Sequence, residues 1–122
     1  MKFLLLLHNN PAVLEALAPE DQQRLMDGHA AFIAAVQNSG ELVVTQALAD
    51  PAQTAVVRVH NGVPAVTDGP FVEAKEFLGG YYLVDVADRG RAIELAGQIP
   101  DASIEGLRVE VRQIMFEAGQ EM

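Results

Sequence analysis

The sequence predicts an α+β domain of the ferredoxin-like kind, β-α-β-(hairpin)-β-α-β, with an antiparallel sheet and two helices on one of its faces. Two helical stretches, opening at Pro19 and Asp88, are each flanked by short runs rich in Val, Leu, Ile or Tyr. Between Val-rich flanks stands Asn61-Gly62, a pair that tolerates the positive φ of a type I′ hairpin turn. Of the 122 residues, 50% are hydrophobic but only 6% aromatic, so an aliphatic core fills one domain spanning the chain, with 115–122 as a C-terminal tail.

In order along the chain, Phe3–Leu7 is short and continuously apolar, the mark of a strand buried on both faces and therefore central. His8 to Ala18 reads as a loop with a helical turn at Val13–Ala16. Pro19 suits a first helical position, and Glu20 and Asp21 complement the positive end of the dipole. Leu25, His29, Phe32, Ile33 and Val36 then recur at helical spacing until Gly40 stops the helix. Leu42–Gln46, Thr54–Val59 and Val63–Thr67 are strands, the last with Pro64 marking an edge. Gly79–Val86 is a strand rich in Tyr and Val. Asp88 caps a second helix whose inner face carries Ala92, Ile93, Ala96 and Ile99, with Pro100 ending it. In the final strand, Leu107–Ile114, the apolar Leu107, Val109 and Val111 alternate with Arg108, Glu110 and Arg112. The apolar set should meet the helices. The other sheet face is then half apolar and half charged, a surface that a second copy of the chain would cover, giving a homodimer.

Composition excludes several functions. The formal net charge is −9, from 17 acids and 8 bases, which disfavours contact with nucleic acid or an anionic membrane. Without cysteine there are no disulfides, thiolate metal sites or thiol nucleophiles. The opening apolar run is too short for a signal peptide, and nothing approaches the roughly 20 residues of a membrane span, so a cytoplasmic protein is expected. Gly79-Gly80 enters a strand and makes no phosphate loop, and neither Ser39 nor Ser103 sits in a nucleophile elbow. His8, His29 and His60 show no metal-ligand spacing, so neither metal nor cofactor is expected.

The segment Thr67-Asp68-Gly69-Pro70-Phe71-Val72-Glu73-Ala74-Lys75-Glu76, followed by Gly79-Gly80-Tyr81-Tyr82, is the most distinctive stretch. Together with the MKFLLLL opening, the Gly40 stop and Val109-Glu110-Val111-Arg112, it closely resembles the DGPF group of YCII-related proteins across nearly the whole chain. The resemblance implies a ferredoxin-like subunit that pairs into a dimeric α/β barrel, and a pocket in which a His–Asp pair acts. It also implies, for some members, a link to a sigma-factor partner.

The candidate residues carry two readings each. Asp68 is a turn former in Asp-Gly-Pro, or a carboxylate at a pocket mouth. Beside it, Glu73, Lys75 and Glu76 form a solvated charge cluster or add ionisable groups to that pocket. His29, on an apolar helix stripe, is a satisfied core or interface side chain, or a general base aimed by an acid, with Asp68 the nearest candidate in kind. His8, at a strand end, together with Lys75, Tyr82 and Arg112, are the candidate substrate contacts; Arg112 either grips an anionic group or pairs with Glu110. The resulting expectation is acid–base catalysis on a small organic molecule by His29 and Asp68. The alternative is a non-catalytic module that binds a ligand or a protein.

Overall fold

The computed structural model describes residues 1–69 and 75–119. The chain runs β1 (Lys2–Asn9), α1 (Pro11–Ala16), α2 (Pro19–Asn38), β2 (Leu42–Ala47), β3 (Ala55–His60), β4 (Val63–Asp68), β5 (Phe77–Asp85), α3 (Arg89–Gln98) and β6 (Arg108–Gln113). Single 3-10 turns stand at Pro51–Gln53 and Pro100–Ser103. The architecture is α+β. Four strands form an antiparallel sheet in the order β2-β5-β1-β6, while β3 and β4 pair as a separate hairpin. That hairpin turns at Asn61 and Gly62 with φ of 50° and 76°, the left-handed geometry their sequence predicts.

The leucine-rich β1 lies between β5 and β6, an interior position that suits a strand apolar on both sides. Phe3 and Leu5 of β1 and Tyr82 and Val84 of β5 are buried against Phe32 and Val36 of α2 and Ala92, Leu95 and Ile99 at α3. Both long helices therefore pack on one face of the sheet. Across the other face, Leu4 stands opposite Arg112 and Leu83, Leu6 opposite Glu110 and Tyr81, and His8 opposite Arg108. Among the described residues no helix is long and apolar enough to cross a membrane.

Three local expectations need correction. His8 and Asn9 extend β1 instead of opening a loop, and the turn after them is a full short helix. Asn10 caps it by accepting from the Ala12 amide at 3.1 Å, and Pro11 occupies its first turn. In α3 Leu95 is buried with Ala92 and Ala96, whereas Ile93 is 44% exposed. Positions 92, 95, 96 and 99 follow the i, i+3, i+4, i+7 stripe, and 93 lies at its margin. The readings of Pro70, Phe71, Val72, Glu73 and Ala74 as a signature turn, and of the last three tail residues, fall outside the described residues.

Between Leu7 and His8 the register slips: Leu7 pairs with Gly80, but His8 pairs with Leu78, which leaves Gly79 as the extra residue of a β-bulge.

The core assignment has a direct test in urea unfolding. Leu5→Ala, at a fully buried position, is expected to cost about 2–5 kcal/mol. Ile93→Ala is expected to stay within about 0.5 kcal/mol, and a loss there as large as at Leu5 would contradict the assigned helix face.

Candidate functional site: the His29 cleft

Helix α2 presents Leu25, His29 and Ile33 at i, i+4 spacing, so one side of it carries two aliphatic residues with an imidazole between them. The imidazole is engaged at both ends. Its Nδ1 lies 2.6 Å from the Tyr82 hydroxyl and its Nε2 lies 2.6 Å from Asp101 Oδ1. An ionised carboxylate only accepts, so Nε2 carries a proton. In the neutral ring, Nδ1 then accepts from the Tyr82 O–H. The Tyr82 ring is held from behind by Phe32, edge-on at 4.9 Å and 80°, and its plane is within 7° of the imidazole's.

Asp101 reaches this position because Pro100 opens a 3-10 turn directly after α3, which places the carboxylate under α2. It is 4% exposed, the one buried charged side chain among the described residues. Buried carboxylates need partners, and His29 supplies one. The two elements can meet this closely because position 28 has no side chain. A Cβ on Gly28 would lie 2.6 Å from Pro100 Cγ, well inside contact distance. The interior glycine, otherwise unfavourable in a helix by about 1 kcal/mol against Ala, is thus explained by packing.

The chain Tyr82–His29–Asp101 borders a cleft of about 360 Å³, walled by α2 and Leu14 of α1 and floored by Leu7, Thr45 and Gly79 of the sheet. Its ionisable lining is His29, Asp101 and Tyr82; no Lys or Arg lines it among the described residues. Burial pushes the Tyr82 phenol up from 10.0 to about 12, and the negative charge of Asp101 adds to the effect. Among the described residues no three His, Asp or Glu side chains gather to hold a metal ion.

The chain matches the family model of the YCII-related domain over residues 1–116. It belongs to the YCII-related family. An uncharacterized protein of Rhizobium meliloti (strain 1021) is 30% identical to this YCII-related chain over 121 residues, covering 98% of each.

Among the residues singled out from sequence, the YCII-related domain brings His29 and Tyr82 together and leaves the others elsewhere. The acid that aims His29 is Asp101, not Asp68. Asp68 is exposed at the end of β4, opposite Ala55 in the separate hairpin, and both ring nitrogens of His29 are already taken. His8 and Arg112 lie on the sheet face opposite the helices, and both bind Glu110, His8 at 2.8 Å. Hydrogen bonding from His8, then from Arg112, draws the Glu110 carboxyl below the usual range. Lys75 is exposed just after the undescribed 70–74 segment.

Sequence reasoning missed Asp101 because it lies 72 positions from His29 and follows a proline that reads simply as a helix stop. One signal was available: a charged residue between Ile99 and Ala102, with a glycine beside the histidine on the partner helix.

Two measurements check this geometry. Gly28→Ala is expected to destabilise by about 1–3 kcal/mol in chemical denaturation, although Ala is the better helix former. A stabilised variant would refute the Pro100 contact. In an alkaline absorbance titration, one tyrosine transition is expected near pH 12 and to vanish in Tyr82→Phe. Because the folded value exceeds the unfolded 10.0, the stability linked to neutral Tyr82 is complete below pH 10 and is lost as pH rises towards 12.

Proposed function

We propose that the His29 cleft binds a small uncharged organic molecule and transfers a proton on it, with Tyr82, His29 and Asp101 acting as one hydrogen-bonded chain. The observation that carries this reading is the continuous pairing, at 2.6 Å on each side, of a histidine that borders an open cleft. With the imidazole neutral, the Tyr82 oxygen accepts from a ligand group while its own proton is held by Nδ1, and proton uptake ends at His29. With the imidazole protonated, Nδ1–H donates to the Tyr82 oxygen, and the phenol proton is released to face the ligand. The Asp101 carboxylate stabilises the imidazolium in that second state. The same chain therefore serves as acid or base, according to the charge on His29.

A second reading, a binding module without catalysis, is favoured by the 2% exposure of Tyr82 and by the internal satisfaction of both His29 nitrogens. One experiment separates the two. Uncharged ketones, beginning with phenylacetone, are incubated with the protein in deuterium oxide, and loss of the α-proton signal is followed by proton NMR. Catalysed exchange is expected, falling at least about 100-fold in His29→Gln and in Asp101→Asn. Exchange that is absent from the wild type, or unchanged in His29→Gln, would end the catalytic reading.

The sheet order β2-β5-β1-β6, with the hairpin set aside, supports a split β-α-β, ferredoxin-like reading, and the sequence Asp68-Gly69-Pro70-Phe71 supports placement in the DGPF group. The half-buried Leu4, Leu6 and Leu83 on the helix-free face, set among charged neighbours, support a two-fold homodimer. Light scattering on the eluting protein is expected to give twice the chain mass, and Leu6→Lys to give the single-chain mass. A wild-type monomer at micromolar concentration would overturn the dimer.

A further inference from the structure

Next to the His29 cleft lies a second cavity of about 280 Å³, bordered by Pro11, Leu48, Pro51, Phe77 and the carboxylate-bearing Glu15 and Asp50. The two cavities share three lining residues, Asn9, Leu14 and Gly79. The geometry points to one divided ligand site: the second cavity takes the apolar tail of an uncharged ligand, and Asn9, at the partition, binds the ligand's carbonyl next to His29. This rests on the reading of the His29 cleft as a ligand site, and adds to it a tail subsite and a positioning residue.

The placement of Asn9 is the main argument. A Cβ built on Gly79 would lie 1.8 Å from Asn9 Nδ2, so the carboxamide packs directly on the Gly79 backbone and a side chain there would turn it away. Asn9 follows Leu7 in the regular alternation of β1 and so lines the helix-side cleft with it, and Gly79 is the extra residue of the bulge in β5 beside it. Asn9 is half-buried, yet its carboxamide has no hydrogen-bond partner among the described residues. A donor and an acceptor thus remain open at the junction of the two cavities. A polar group in that position is normally satisfied by solvent or by ligand.

Charge and size define the occupant. The ionisable groups of the second cavity are Glu15 and Asp50, and no Lys or Arg lines either cavity among the described residues. A carboxylate or phosphate would meet carboxylates at both ends without a counter-charge. The second cavity alone falls just short of the roughly 300–1,000 Å³ typical of ligand sites, whereas the joined pair falls within it. The ligand class is therefore an uncharged carbonyl compound with a compact alkyl or aryl tail.

The test uses the unbranched methyl ketones from 2-butanone to 2-octanone, with heptanoate as the anionic counterpart. Affinity is measured by calorimetry, and the His29 and Tyr82 ring signals are followed by NMR. Ketone affinity is expected to rise about two- to fourfold per added methylene, and heptanoate to bind more weakly than 2-heptanone. Leu48→Trp, a half-exposed position on the wall of the second cavity, is expected to flatten that gradient. Asn9→Ala is expected to weaken every ketone alike, by about two- to tenfold. A flat series in the wild type, or a gradient that persists in Leu48→Trp, overturns the tail subsite, and unchanged affinity in Asn9→Ala removes Asn9 from its role. If 2-butanone leaves the His29 and Tyr82 signals unmoved, the His29 cleft is not the ligand site, and the proposed function fails with it. The wild-type series needs no variant, so misfolding of a mutant cannot blur the result.

Discussion

The close contact between α2 and the turn at Pro100 fixes where everything else in the site can stand. With a methyl group at position 28 the two backbones would have to separate, and a buried carboxylate would lose its partner. Because Asp101 and Tyr82 grip opposite nitrogens of one ring, displacement of either affects both. The polar chain also ties together three elements of the domain: helix α2, the interior strand β5, and the turn after α3. In an otherwise aliphatic core this chain gives direction to packing that is itself non-directional.

The sheet separates two kinds of polar chemistry. On the helix side Tyr82, His29 and Asp101 form one chain beside Leu25, Ile33 and Phe32 at the edge of the cleft. On the other side His8, Glu110 and Arg112 form a cross-strand cluster between β1 and β6 that is already paired within itself. Arg112 is thereby engaged by a neighbour two residues away on its own strand, the role weighed for it from sequence against substrate binding. Asp68 belongs to neither group: it ends β4 in the separate hairpin.

What was legible in the sequence was what depends on near neighbours. The Asn61-Gly62 turn, the start of α2 at Pro19 and the alternation through Leu107, Val109 and Val111 each follow from residues within one turn or one strand. His29 could be singled out because an imidazole on an apolar stripe needs partners, though the pattern could not say which. Tyr82 could be assigned to a strand face but not to the ring of His29. Asp101 could not be found by spacing, since only the folded chain closes 72 positions into 2.6 Å. The choice between Ile93 and Leu95 failed for a smaller reason: both are aliphatic, and the helical wheel separates them only by which margin of the stripe the sheet covers. Asn9 was read as loop because His8-Asn9-Asn10-Pro11 is polar and ends in proline, and β1 runs on into it only because β5 pairs with it there.

The cation-free lining of the cleft has a consequence for how solutes arrive. The chain carries a formal charge of −9, and one of its carboxylates lines the cleft without a Lys or Arg beside it among the described residues. An anion diffusing towards it climbs a repulsive potential that extends about 10 Å at moderate ionic strength, while a neutral molecule feels none of it. Selection therefore begins in solution, as a difference in collision frequency, before any solute has touched the wall.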